Sequence, residues 1–126
     1  MAEAPALSAV AALARRHDPD RFLWALFAPP EARETIFTLI AFNHELARAR
    51  EAAREPMMAM IRLQWWRDAV EEAVARVPAR RHEVAGPLAQ AIRERRLDPA
   101  ALLAMIDARE VDEPPADRAA LEERLA

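Results

Sequence analysis

His44, Arg48 and Glu51 recur along one side of a helix read over residues 33–51, with Ala47 between them. Residues three and four apart share a helix face. If that side borders a cavity, Glu51 can hold a cation, while His44 or Arg48 can meet an anion. Asn43 falls within the apolar stripe of the same helix, made by Ile36, Leu39, Ile40, Leu46 and Ala47. An amide there is costly unless it is hydrogen-bonded. The plainer alternative leaves Arg48 and Glu51 in solvent and makes Asn43 a satisfied core residue.

A second group is Arg62, Gln64, Trp65, Trp66 and Asp68. Adjacent tryptophans on a helix point about 100° apart, so one can be buried while the other walls a cavity or a partner surface. Ordinary helix packing with snorkelling arginines is the alternative. A third is Asp107 with Glu110, an i,i+3 carboxylate pair that hints at a metal site, followed by Asp112 at an unfavourable helix C-terminus. Solvated carboxylates would look the same. His17, His44 and His82 show no ligand spacing, and Ser8 has no His-Asp partners around it, which argues against a serine hydrolase.

The elements that must position these groups are helices. Residues 7–16 form a short Ala-rich amphipathic helix, and Asp18-Pro19 is a cap-and-proline start for a helix whose apolar face is Phe22, Leu23, Leu26 and Phe27. Ala28-Pro29-Pro30 ends it and opens the central helix. Pro56 restarts the chain into a long helix over 57–77. Its expected face is Met57, Met60, Ile61, Trp65, Val70, Val74 and Val77. Arg67–Glu71 and Glu72–Arg76 are i,i+4 pairs, each worth about 0.2–0.5 kcal/mol. A helix over 84–95 is interrupted near its start by Gly86-Pro87. Asp98-Pro99 then starts another, with Ala101, Leu102, Met105 and Ile106 inward, and residues 116–126 begin a last one that ends without a cap. No strand-like alternation occurs. The fold class is all-α, a bundle of about six or seven helices joined by proline-marked turns.

One glycine in 126 residues excludes a Gly-rich phosphate loop, and a net charge of −3 gives no field that favours nucleic acid. With no cysteine, there are no disulfides, thiolate metal sites or thiol nucleophiles. No apolar run reaches the ~18 residues of a membrane span. The charge order at the N-terminus is the reverse of a secretory signal. A cytoplasmic protein, or one peripheral to the inner membrane face, is expected.

Three stretches together resemble the squalene/phytoene synthase family: residues 20–33, residues 40–48 with Ala41-Phe42-Asn43-His44-Glu45-Leu46-Ala47-Arg48, and residues 55–68 with Arg62-Leu63-Gln64-Trp65-Trp66-Arg67. Ile106 to Asp112 fits as well. The resemblance covers only the N-terminal portion of such a protein, so residues 1–126 read as a single partial domain of the isoprenoid-synthase-like fold. Family members join two prenyl diphosphates head to head with Mg²⁺ held by two Asp-rich motifs. Mg²⁺ needs carboxylate and diphosphate oxygens, and it stabilises the leaving diphosphate. By the resemblance, the first motif falls on Ala47-Arg48-Ala49-Arg50-Glu51, where Glu51 is the one acid kept, and His44 stands where the family has arginine. A diphosphate would then meet His44, Arg48 and Glu51, while Asn43, Arg62, Trp65 and Trp66 would form a cavity or partner surface. The second motif would lie beyond residue 126.

The wording of the motifs is most similar to the branch that contains the mitochondrial complex I assembly factor and its proteobacterial relatives, in which the metal sites are degraded. The resemblance implies a pseudoenzyme of assembly type, or one that binds a prenyl diphosphate or lipid, with no cofactor. Two alternatives stay open. One is half of an active head-to-head prenyltransferase, using Mg²⁺ and completed by another chain. The other is a small helical module that covers an open apolar face with a protein partner or a second copy.

Overall fold

The computed structural model describes residues 7–52 and 55–111. Six helices are found among them: α1 (Ala9–His17), α2 (Pro19–Ala25), α3 (Pro30–Ala52), α4 (Pro56–Val74), α5 (Ala85–Arg93) and α6 (Pro99–Val111). The helix expected over residues 116–126 lies outside the described residues, as does Asp112. No described helix is long and apolar enough to cross a membrane.

Local chemistry sets the helix starts. The Ser8 hydroxyl accepts the Ala11 N–H at 3.2 Å, and the Asp18 carboxylate accepts the Arg21 N–H at 3.3 Å. Pro19, Pro30, Pro56 and Pro99 each occupy a first helical position, where the missing N–H costs nothing. Gly86-Pro87 does not interrupt α5 as expected. Both sit in its first turn, where proline's absent donor is tolerated. Two ends are less comfortable. Arg76 (φ 61°) and Arg95 (φ 60°) adopt the left-handed conformation that closes α4 and α5, with Val77 N–H donating to Glu72 and Arg96 N–H to Ala91 carbonyl oxygens.

α3 runs through the middle and touches every other helix. Its fully covered side is Thr38, Ala41, Phe42, Leu46 and Ala49, packed toward Leu63, Trp66 and Val70 of α4 and Leu88 of α5. Of the expected stripe, Leu46 and Ile40 are buried, while Ile36, Leu39 and Ala47 are half-buried on another flank. α3 is therefore apolar on two sides. So is α4, and the face it buries shares only Val70 with the one expected: Ala59, Leu63, Trp66, Val70 and Ala73 are inside. Met57, Met60, Ile61 and Val74 are exposed, and Val77 is exposed beyond the helix end. Periodicity cannot say which of two apolar sides is covered. α2 likewise buries Phe22 and Ala25, whereas Leu23, Leu26 and Phe27 face outward with Trp24. On α6, Leu102 and Ile106 are buried and Ala101 is exposed.

The charges pair over longer distances than expected. Arg67 pairs not with Glu71 but with Asp107 at 2.8 Å and Glu110 at 2.6 Å, joining α4 to α6. Those two carboxylates are thereby committed to a guanidinium, which they hold above its ordinary pKa. Glu72 pairs not with Arg76 but with Arg80 through two bonds of 2.7 and 3.0 Å, which straps the connector before α5 onto α4. The Glu72 carboxyl is held below its usual range by those bonds. Arg93 donates to the Ala73 and Val77 carbonyl oxygens at the end of α4.

α1 lies on α3 through Val10, Ala11 and Ala14, and the contact ends in a stack of His17 on His44, centroids 3.9 Å apart and 10° from parallel. Loss of solvent is the largest influence lowering the His17 pKa, with the charges of His44, Arg16 and Arg48 adding to it and Glu45 opposing it.

Three outcomes follow from these contacts. Glycine relieves left-handed strain, so Arg76→Gly and Arg95→Gly should each raise stability by about 0.5–1 kcal/mol in urea unfolding; a loss at both positions would contradict the strain. Removing the mostly buried Arg67 guanidinium (Arg67→Ala) should cost about 1–2 kcal/mol by the same measurement, whereas a neutral effect would show that the link is ornamental. The native state binds the His17 proton more weakly than the unfolded chain, so stability rises with pH through the window below about 6.5 and is lost on acidification into it. The melting temperature should fall as the pH is lowered across that window, and His17→Leu should flatten the slope. An identical slope in the variant would exclude this origin.

Candidate functional site

The candidate site lies where α3, α4 and the connector before α5 meet. Trp66 turns inward and sets its edge against Phe42 at 5.4 Å. Trp65, one position before it, is half-buried, and its ring stands 4.8 Å from that of Trp66 at 83°. His82 from the connector covers both indoles at 5.4 and 5.2 Å. The Arg80 guanidinium lies 5.1 Å over the Trp65 ring and holds it in place. The Nδ1 atom of His82 accepts the Val84 N–H at 3.0 Å and the Ala85 N–H at 3.3 Å, so this side chain caps α5 and its ring proton belongs on Nε2.

Trp65, Trp66 and His82 line a cavity of about 380 Å³, completed by Ile61 and Arg62 of α4 and by Glu45, Arg48 and Ala49 of α3. Arg48 and Arg62 are exposed and make no hydrogen bond or ion pair among the described residues. The arrangement is an aromatic floor with two guanidinium groups at the rim that have no partner among the described residues, and one carboxylate, Glu45. It can receive an anion attached to an apolar or aromatic body.

The residues singled out from the sequence divide among different places. Arg48, Arg62, Trp65 and Trp66 come together here. Asn43 faces a second cavity of about 540 Å³ between α2, α3 and α6, walled by Trp24, Ile36, Leu39 and Met105 with Arg21. Its Oδ1 accepts from Arg109 of α6 at 3.2 Å, which satisfies the amide. His44 stacks on His17, and Glu51 is exposed near the end of α3, lining neither cavity. Glu45, Ile61 and His82 were not singled out by sequence reasoning. His82 stands three residues before the start of α5 and gives no ordinary capping signal in the sequence; Glu45 and Ile61 are identified only by the packing of α3 on α4. Among the described residues, no group of three or more His, Cys, Asp or Glu side chains is placed to hold a metal ion.

Comparison with known proteins agrees with this helical arrangement. NADH dehydrogenase (ubiquinone) complex I, assembly factor 6, from Homo sapiens is 33% identical over 98 residues, which is 78% of this chain and 29% of that protein. The proteins of the same name from Bos taurus and Rattus norvegicus are 34% and 35% identical over the same shares. The chain thus spans about 29% of the length of these curated relatives. No solved structure matches it. The profile of the squalene/phytoene synthase family matches residues 14–123, a stretch that takes in the described helices from late α1 to α6 and both walls of the cavity, and on that match the chain belongs to the squalene/phytoene synthase family.

Proposed function

We propose that this chain is a non-catalytic, assembly-type member of its family, one that binds without ionising a diphosphate. The observation that carries the reading is the donor set of α3 at its C-terminal half. It reads Ala47-Arg48-Ala49-Arg50-Glu51, with Ala49 and Arg48 at the cavity beside Arg62 and with Glu51 pointing elsewhere. Mg²⁺ requires several carboxylate oxygens around it, and two guanidinium groups facing one carboxylate repel a divalent cation. These residues do not fit the metal. The identity of the relatives, assembly factors for complex I, supports the assembly role, which comes to this chain by analogy.

A second reading, metal-free binding of a prenyl or other lipid chain, is favoured by the apolar walls of the larger cavity beside Asn43. Isothermal titration with farnesyl diphosphate, with and without Mg²⁺, separates these readings from catalysis. The heat should be the same in both series, and no inorganic diphosphate should be released. Tight binding that appears only with Mg²⁺, or release of diphosphate, would overturn the non-catalytic reading.

A further inference from the structure

We propose that the exposed apolar stripe on the N-terminal turns of α4, together with the arginine-rimmed cavity it leads into, docks an acidic amphipathic helix of a partner protein. The proposal rests on the assembly-type reading above and names the chemistry of its partner. Met57, Ile61 and Trp65 recur at one-turn spacing on the outward side of α4, Met57 being 71% and Ile61 56% exposed. Eight residues of α-helix span about 12 Å, the reach of side chains at i, i+4 and i+7 on an opposing helix. Methionine adapts its shape to such a surface. The stripe leads directly to Arg62 and, across the cavity, to Arg48 of α3.

Charge complementarity fixes the sign of the occupant. Both guanidinium groups lack a partner among the described residues, in a chain whose net charge is −3 and whose neighbouring Arg80, stacked on Trp65, is already held by Glu72. Carboxylates one turn apart on a docked helix would meet both. A free phosphate would engage the arginines but leave the Met57–Ile61 stripe, which continues beyond the cavity, uncovered. A bilayer surface needs a protruding apolar element, whereas here Trp65 is pinned inside a concavity by Arg80 and His82.

The test uses the intact chain and two synthetic amphipathic peptides of roughly 15 residues, identical in their leucine stripe and flanked either by glutamates or by lysines. Titration followed by tryptophan emission should give saturable binding of the glutamate peptide alone. The double variant Arg48→Glu, Arg62→Glu should weaken it at least about tenfold while gaining affinity for the lysine peptide. An unchanged circular dichroism melt would show that the variant is folded. Equal binding of both peptides, binding of neither, or a response confined to phosphatidylglycerol vesicles would overturn the proposal. Mg²⁺-dependent release of diphosphate would instead overturn the preceding reading and, with it, the premise of this proposal, an outcome distinct from any peptide result.

Discussion

The contact of Phe42 with Trp66 is the constraint on which the rest depends. Both side chains are removed from water, at 0% and 4% exposure, and their rings meet edge to face at 5.4 Å. Burial of two such aromatic groups contributes on the order of several kcal/mol, and the ring pair adds about 0.5–1.5 kcal/mol. The contact also fixes the rotation of α4 against α3. With Trp66 inward, Trp65 must stand at the cavity wall and Arg62 at its rim. The same rotation turns Met57 and Ile61 to the outside and brings Arg67 round to the carboxylates of α6. The cavity, the exposed stripe and the link to α6 are thus consequences of one packing choice.

How much of this was legible beforehand depends on the range of the chemistry. The starts of α2, α3, α4 and α6 could be read because a proline at the first helical position acts locally. The all-α class and the family resemblance could be read as well. The inward faces of α2 and α4 could not, because each helix carries apolar residues on two sides and only tertiary packing decides between them. Arg67 illustrates the same limit for charges. Glu71 stands one turn away, but Asp107 and Glu110 dock beside Arg67 once α6 is in place, and a partly buried guanidinium gains more from two carboxylates than from one. The site followed the same rule. Arg62, Trp65 and Trp66 share one short segment and stayed together, whereas Asn43, His44, Arg48 and Glu51 span two turns of α3 and point to different surroundings.

Helices with two apolar sides belong to the interior of a larger arrangement. In this chain, which spans about 29% of its curated relatives, α3 shows one such side to the core and another to the cavity beside Asn43. α4 shows its second side through Met57 and Ile61. A binding role uses surfaces of this kind directly, whereas diphosphate ionisation needs carboxylates at specific places on them. Family membership and the proposed loss of catalysis are therefore compatible. The fold supplies the walls, and the residues placed along the C-terminal half of α3 decide what the walls can hold.

The account turns on whether those walls accept a divalent cation. Mn²⁺, which replaces Mg²⁺ at oxygen sites, can be counted by the electron paramagnetic resonance signal of the free ion as the chain is titrated in, alone and with inorganic diphosphate. Walls that hold no divalent cation should remove no signal beyond what diphosphate removes by itself. A stoichiometric loss that requires the chain, and that disappears when Glu45 or Glu51 is changed to glutamine, would contradict the non-catalytic reading.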